Sequence, residues 1–396
     1  MIVLRSESFT ILCTIVTIKR VSSDCHSLRA GSVSVFCPTV RDLFQCIIFS
    51  HIYFYDINIA MTIPVVDLSP CFSSRIKSDD LDVLAGQWDR AMSKFGFAIV
   101  VGHPVPRQQV STLHAAIRKF FESTPSELKQ IFEHGPYGSP DGGYKGLGYE
   151  SVETTWKLDT VGADNDNKKR VAAADIVENY VFRGLPASWK EREPAKAHPV
   201  ELERLAGPYV SQVLEISNVI HRLSARALGV EDRFFDQYFD STPKTEYSLR
   251  LAYYPPTAEH SLERDSIRYG AHTDYTGYTI LYQDPDDQGN SNSGGLQVLV
   301  DGHWQYVQHV ENGFVVNAGD LWPIWSNGRW ISAVHRVTNP AKNSEYSHQS
   351  RVSIPFFTGP RGDTLVEPIV INGDKPKFQA VEASQHLQSK VKASNI

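Results

Sequence analysis

The chain has 396 residues, a net charge of -6 at pH 7 and a pI near 6.2. This acidic balance argues against nucleic acid or an anionic membrane as a partner, because both favour a basic surface. Hydrophobic residues make up 41% of the chain and charged residues 21%, as is typical of a globular protein with a sizeable core. No run of about 18 uncharged apolar residues occurs, so the sequence predicts no transmembrane helix.

The cysteines indicate a reducing compartment. All five lie at or before Cys71, so neither a disulfide nor a thiolate metal site can form in the remainder of the chain. We therefore expect a cytoplasmic protein, and we expect it to be a monomer.

Residues 1–60 differ from the rest of the chain. They mix short apolar runs with basic residues and show neither helical nor strand periodicity. A secretory signal or a transit peptide is one interpretation, but Lys19 and Arg20 follow the first apolar run and no small-residue cleavage site is evident. Met61 opens a segment that resembles a natural protein start. We expect residues 1–60 to be a poorly ordered extension without function, or the product of an over-extended gene model.

Residues 61–235 are expected to form a helical and mixed region that packs on a β-core. Apolar spacing predicts a first strand at 64–68, another at 98–101, and helices at 81–94, 108–121 and 201–228. The sequence from Thr124 to Glu127 has the pattern of a capping box, with a hydroxyl at the N-cap and a carboxylate at N3. A short helix should begin there.

Residues 236–380 are expected to form the β-core, followed by a tail at 381–396. Short β-type runs separated by turns predict strands at 247–254, 278–283, 296–300, 304–307, 314–317, 332–337 and 350–357. Many short strands at close spacing favour a double-sheet sandwich or jelly roll. Helices first and strands afterwards indicate an α+β fold, with the N-terminal helices flanking the jelly-roll core.

Three residues have the chemistry of a metal centre. His272 and Asp274 are two positions apart, so on a strand they would share one face, and His335 lies in a second apolar run. Two histidines and one carboxylate form the facial triad of non-haem Fe(II) oxygenases, which leaves positions open for co-substrate and O2. Zinc is an alternative, although a catalytic zinc usually keeps one open position. An isolated His-x-Asp is more often an ordinary surface feature.

A second pair, Arg351 and Ser353, is also spaced by two. A guanidinium and a hydroxyl on one face of a strand suit bidentate capture of a carboxylate. The alternative is an exposed arginine on an edge strand, but the apolar residues after the pair predict a buried strand, where an arginine needs an anionic partner. Arg336 is a rival anion anchor, but it adjoins His335 and should point to the opposite face.

Together these residues resemble the 2-oxoglutarate/Fe(II) dioxygenases related to isopenicillin N synthase, from Ile63 to about Phe378. Further similar segments are Pro64-Val65-Val66-Asp67-Leu68, Phe95-Gly96-Phe97, Tyr253-Tyr254-Pro255, Gly294-Gly295-Leu296-Gln297-Val298 and Asn317-Ala318-Gly319-Asp320. The resemblance implies a double-stranded β-helix. It implies that iron is held by His272, Asp274 and His335, and that the distal carboxylate of 2-oxoglutarate is bound by Arg351, Ser353 and Tyr254.

The resemblance also implies the reaction. Fe(II), 2-oxoglutarate and O2 would oxidise a C–H bond of a small organic substrate, by hydroxylation, desaturation or ring closure, with release of succinate and CO2. The metal and the co-substrate supply the reactivity, so no catalytic residue is expected beyond the metal ligands. An oxidase that does not use 2-oxoglutarate, as in isopenicillin N synthase, and an inactive ligand-binding relative are the alternatives.

The chain departs from the family pattern at two places. Ala252 stands where the family often has asparagine, so one polar contact is either missing or replaced, and the loop 340–349 is long. The substrate is expected between the barrel mouth and the loops before it, and it is not identified by these motifs. Candidate lining residues are 144–149, 180–182, Tyr275, Tyr278, Phe356 and Phe357. The loop 284–293 is expected to be a solvated hairpin.

Overall fold

The computed structural model describes two units of the chain, Met1–Met61 and Thr62–Ile396. In the second unit the described residues are 62–73, 76–134, 142–152, 174–189, 197–242, 244–257, 267–284, 289–290, 292–371 and 373–394. In the first unit they form two hairpins: β1 (Val3–Ser6) with β2 (Phe9–Leu12), and β3 (His26–Ala30) with β4 (Val33–Cys37). The sequence pattern did not predict these strands, and the other expectations for residues 1–60 lie outside the described residues.

The second unit contains three long helices, as the apolar spacing predicts. Its helices are α1 (Ser78–Lys94), α2 (Arg107–Ser123), α3 (Ser126–Gln130), α4 (Pro186–Trp189), α5 (Val200–Ala227), α6 (Leu321–Trp325) and α7 (Ala383–Ser394). Short 3-10 turns occur at Ser69–Phe72, Phe234–Gln237 and Glu345–His348. Among the described residues, no helix is both long and apolar enough to cross a membrane.

Helix α3 begins where the sequence predicts, but the capping box does not form. Its N-cap is Pro125, and no side chain of the described residues caps it. Thr124 instead ends α2, where its N–H donates to the carbonyl of Phe120 at 3.2 Å. The proline fixes the chain in an extended conformation between the two helices, so the threonine hydroxyl does not reach the first turn of α3.

The strands of the second unit form two larger sheets. The strands are β5 (Val65–Asp67), β6 (Phe97–Val101), β7 (Gly143–Lys145), β8 (Glu178–Arg183), β9 (Ser248–Tyr254), β10 (Ile267–His272), β11 (Tyr278–Tyr282), β12 (Gly295–Val300), β13 (His303–Tyr306), β14 (Phe314–Ala318), β15 (His335–Thr338), β16 (Arg351–Phe357), β17 (Leu365–Val366) and β18 (Val381–Glu382). The large sheet has the order β5-β6-β14-β11-β16-β9-β8-β7, and the small sheet has the order β10-β15-β12-β13. The architecture is the α+β double-stranded β-helix that the sequence predicts.

The N-terminal region contributes strands as well as helices to this core. Strands β5 to β8 extend the large sheet at its two edges. β7 and β8 have no counterpart among the predicted strands, and β10 was expected only as the strand that carries His272. β15 was predicted from residue 332 but begins only at His335. Short strands with weak alternation lack the period that identifies a strand in a sequence.

A buried polar contact joins the helices to the large sheet. The Trp88 indole N–H on α1 donates to the Ser224 hydroxyl on α5 at 3.0 Å and lies 3.2 Å from the Tyr278 hydroxyl on β11. Ser224 and Tyr278 are themselves 2.8 Å apart. All three side chains are fully buried. Helices α1 and α5 therefore pack against one face of the large sheet. The opposite face is available for the functional site.

Candidate active site

The two histidines of the predicted triad lie on neighbouring strands. β10 and β15 are antiparallel, and His272 is the register partner of His335. Their ring centroids are 4.2 Å apart. An Asp274 carboxylate oxygen, Oδ1, is 3.8 Å from Nε2 of each imidazole. The structure therefore brings His335 to the His272 and Asp274 pair, from which it is more than sixty residues away in the sequence.

Hydrogen bonds orient each side chain of this triad. Nδ1 of His272 is 2.8 Å from the Gly270 carbonyl, and Nδ1 of His335 is 3.1 Å from the Ala333 carbonyl. A carbonyl can only accept, so both imidazoles carry a proton on Nδ1 and turn Nε2 towards Asp274. This is the orientation of metal-bound histidines, whose other ring nitrogen donates to a neighbouring group.

The carboxylate is oriented in the same way. Oδ2 of Asp274 accepts hydrogen bonds from the Asn317 amide at 2.6 Å and from the Thr279 hydroxyl at 2.5 Å. Oδ1 is the oxygen that faces the imidazoles. Burial, reinforced by the neighbouring His335, lowers the pKa of His272, which keeps the ring neutral. Two imidazole nitrogens and one carboxylate oxygen converge, and such a donor set fits Fe(II).

The prediction that Asp274 shares a strand face with His272 was wrong. β10 ends at His272, so Asp274 does not share a strand face with it. It lies in the bend after the strand, where its carbonyl accepts a hydrogen bond from the Asp320 N–H at 2.9 Å. The chain therefore reaches the predicted arrangement through a fixed bend instead of strand alternation.

Arg351 and Ser353 lie on β16 in the large sheet. Arg351 is the register partner of Tyr254, and Ser353 is the partner of Ala252. Arg351 is 5% exposed, and its guanidinium carbon is 5.1 Å from the centroid of the Tyr254 ring. Arg351 and Ser353 therefore lie on the same face of β16, although the loop before this strand is long.

The rival arginine points elsewhere. The Arg336 guanidinium carbon lies 4.0 Å from the Trp304 ring centroid, and its Nε donates to Gln297 at 2.9 Å. Arg336 is absent from the described lining of the cavity that contains His335. The prediction that it faces away is confirmed.

Asp284 holds the strand of Arg351 in place. Its Oδ2 accepts from the Val352 N–H at 2.8 Å and from Arg118 on α2 at 3.0 Å. Asp284 is 1% exposed, so its assignment to a solvated hairpin was wrong. A sequence of Asp, Asn, Ser and Gly residues carries no sign that its first carboxylate is buried.

One cavity joins the triad to the pair on β16. It encloses about 1340 Å³, including the open solvent at its mouth, and it is lined by His272, Asp274, His335, Arg351, Ser353 and Tyr254. Of the predicted lining, Lys145, Val181, Tyr275 and Phe357 reach this cavity. The other predicted lining residues were wrong. Tyr144, Tyr180, Phe182, Tyr278 and Phe356 belong to the buried core, and residues 146–149 are not among the described lining.

Sequence reasoning missed an ion pair in the cavity wall. Arg250 on β9 is paired with Glu150 and donates to the Tyr269 hydroxyl at 2.9 Å. The Tyr269 ring packs edge-on against His272, with centroids 5.0 Å apart. Arg250 is four residues before Tyr254, so strand alternation would have placed it on the same face. Glu150 comes after a glycine-rich segment and has no comparable signal.

The last helix also forms part of the wall. Leu387 and Val391 of α7 line the cavity. Lys390 forms an ion pair with Asp320 at 3.0 Å, and the Ser151 N–H donates to the Ser394 carbonyl at 3.1 Å. Asp320 is the residue whose N–H binds the carbonyl of Asp274. Asp320 therefore contacts both the helix in the cavity wall and the segment that carries the Asp274 carboxylate.

Comparisons with known proteins agree with this geometry. The family model of the 2OG-Fe(II) oxygenase superfamily matches residues 245–360, and the model described as the N-terminal part of non-haem dioxygenases in morphine synthesis matches residues 63–179. A homoarginine-6-hydroxylase of Glycine max is 30% identical over 83% of this chain and 96% of its own length. A 2-oxoglutarate-Fe(II) type oxidoreductase of Metarhizium rileyi is 29% identical over 75% of this chain and 77% of its own length.

A solved structure extends the likeness to the fold. A full-length Neurospora crassa protein in complex with alpha-KG and thymine superposes with a TM-score of 0.68 at 26% identity, over 85% of this chain and 98% of that chain. The chain therefore belongs to the 2OG-Fe(II) oxygenase superfamily and is an oxidoreductase that uses Fe(II), 2-oxoglutarate and O2 to oxidise a small organic metabolite.

Proposed function

We propose that His272, Asp274 and His335 hold the Fe(II), and that Arg351, Ser353 and Tyr254 hold the distal carboxylate of 2-oxoglutarate. The observation that carries the assignment is the single cavity that contains both groups. The three donor atoms face one another. The remaining polar atoms of these side chains form hydrogen bonds with Gly270, Ala333, Thr279 and Asn317. Bound iron and 2-oxoglutarate supply the oxidising chemistry.

In this assignment the protein binds, orients and excludes water. A buried guanidinium offers two parallel N–H donors to a carboxylate, which fixes both the position and the direction of a dicarboxylate. Ser353, one alternate position along β16, adds a hydroxyl donor. Within the described lining, no side chain has to act as a proton donor or acceptor in this scheme. The substrate is therefore selected by the walls of the cavity.

The charges of the cavity favour a neutral or anionic substrate over a cationic one. Among the described lining residues, the basic side chains are Lys145, Arg183, Arg250 and Arg351, and the carboxylates are Glu246 and Asp274. Lys145 and Arg250 are already paired with Glu133 and Glu150, so the site offers a cationic substrate no excess of carboxylates as partners. The Neurospora crassa structure holds thymine, which is neutral, whereas homoarginine, named for the soybean relative, is cationic. We propose a neutral polar metabolite of the size of a nucleobase.

Succinate release tests this function. The Fe(II)-loaded protein would be supplied with 2-oxoglutarate and either thymine or homoarginine, with Asp274→Ala as the inactive control. We expect metal-dependent succinate release that thymine stimulates and homoarginine does not. Stimulation by homoarginine alone would contradict the charge argument. Product formation without succinate would contradict the use of 2-oxoglutarate and favour an oxidase of the isopenicillin N synthase type.

The remaining assignments concern the whole chain. We propose a cytoplasmic monomer, with residues 61–235 as the flanking region and 236–380 as the catalytic core. The expected tail at 381–396 is corrected, because β18 and α7 lie within it and α7 lines the cavity. The reduced state of Cys71, which has no disulfide partner among the described residues, is consistent with a reducing compartment. Size-exclusion chromatography with light scattering tests the monomer, and fractionation of the source cells tests the location.

A further inference from the structure

The concave face of the large sheet contains a cross-strand row of polar positions with one gap. Ser353 on β16 pairs with Ala252 on β9, Ala252 pairs with Asn179 on β8, and Asn179 pairs with Lys145 on β7. All four residues line the cavity. Ala252 is the position where the chain lacks a polar side chain, so the next polar group across the sheet is the amide of Asn179.

Asn179 has an unused hydrogen-bonding atom. Its side chain is 1% exposed, and its Oδ1 accepts no hydrogen bond within the described part of the chain. A buried amide oxygen that accepts no hydrogen bond lowers the stability of the folded state, because its contact with water is lost and not replaced. Such atoms are therefore rare in proteins unless a ligand or a water molecule donates to them. Asn179 lines the cavity that contains the metal triad.

The position of Asn179 separates it from the co-substrate. Neighbouring strands lie about 4.8 Å apart, so β8 is roughly 10 Å from β16 across β9. A carboxylate held between Arg351 and Ser353 on β16 cannot also contact a side chain two strands away. Asn179 therefore faces the part of the cavity that 2-oxoglutarate leaves open.

We propose that Asn179 binds the substrate by accepting a hydrogen bond from an N–H or O–H group, and that it selects a neutral ring with such a donor, of the cyclic amide or cyclic ureide class. This inference rests on the proposed function, because it takes the β16 side of the cavity to be filled by 2-oxoglutarate. An ammonium or guanidinium donor is disfavoured because Glu133 and Glu150, the carboxylates nearest in the row, already have cationic partners. Lys145 is 3.3 Å from Glu133, and Arg250 is paired with Glu150.

The test uses thymine as the probe. Its affinity would be measured by calorimetry on the intact protein loaded with Fe(II) and 2-oxoglutarate under nitrogen. Asn179→Leu removes the acceptor and preserves the volume, and Asn179→Ala removes it without adding bulk. The matched control is Asn339→Leu, because Asn339 is also buried with an unpartnered Oδ1 in the described structure but lies outside the cavity.

We expect thymine to bind the unmodified protein, and both Asn179 variants to bind it about tenfold or more weakly, since one buried hydrogen bond is lost. Thymine methylated on both ring nitrogens should bind weakly to all forms, and Asn339→Leu should behave as the unmodified protein. Unchanged thymine affinity in both Asn179 variants, or no thymine binding by a protein that binds 2-oxoglutarate, would overturn the inference. Failure to bind 2-oxoglutarate would instead overturn the proposed function.

Discussion

Replacing Arg351 by lysine tests the co-substrate site most directly. The guanidinium is buried beside Ser353 and packs over the Tyr254 ring. Lysine retains the charge but loses the planar pair of donors and the contact with the aromatic face. One charge-assisted hydrogen bond is worth about 1.5–3 kcal/mol, and about 1.4 kcal/mol corresponds to a factor of ten. We therefore expect the Kd for 2-oxoglutarate to rise about 10- to 100-fold.

The matched control for this prediction is Arg336→Lys. Arg336 also packs on an aromatic ring, but its side chain lies on the face of β15 opposite to His335 and outside the described cavity lining. Anaerobic calorimetry would measure 2-oxoglutarate binding to the Fe(II)-loaded protein, and the bound iron of each variant would be quantified by mass spectrometry. Arg351→Lys should keep its iron and lose co-substrate affinity, and Arg336→Lys should keep both. Equal loss in the two variants, or a loss confined to Arg336→Lys, would refute the assignment of the anion site.

Three further predictions concern the metal centre and the core. Asn317→Ala removes the amide that holds Oδ2 of Asp274, and it should weaken Fe(II) binding about 10- to 100-fold in a metal titration. Burial lowers the pKa of His221 to about 3, so below about pH 6.5 only the unfolded chain takes up this proton. The free energy of unfolding should therefore fall as pH decreases from about 6.5, by up to about 1.4 kcal/mol per pH unit, and His221→Phe should flatten this slope in urea titrations. Tyr278→Phe removes a hydroxyl that contacts Trp88, and it should lower the free energy of unfolding by about 1 kcal/mol in the same assay.

The residues of the candidate site were predictable where the residue type and the two-residue alternation of a strand indicate the same positions. Arg351 and Ser353 were found from alternation along an apolar strand, and the structure keeps that alternation. The convergence of His335 with His272 was expected from residue type, and the pairing of β10 with β15 provides it. The bend that carries Asp274 was not predictable, because it is fixed by a main-chain hydrogen bond to Asp320, more than forty residues further along the chain.

Other features depend on contacts that leave no local pattern. The bounds of β10 were not predicted, because its sequence, Ile-Arg-Tyr-Gly-Ala-His, shows no clear alternation of apolar and polar residues. Asp284 was assigned to solvent because its polar neighbours are typical of a loop, whereas Arg118 of a distant helix makes its burial possible. Asn179 could not be singled out either, because the role proposed for it depends on its pairing with Ala252 on the neighbouring strand.

The role of α7 in the cavity wall has a consequence for protein synthesis. Translation proceeds from the N-terminus, and Leu387 and Val391 leave the ribosome after every strand of the two larger sheets. Until they dock, the nascent chain has an incomplete pocket even if the β-strands have already paired. A polypeptide truncated before Leu387 would therefore contain every strand of the two larger sheets and still lack part of the cavity wall.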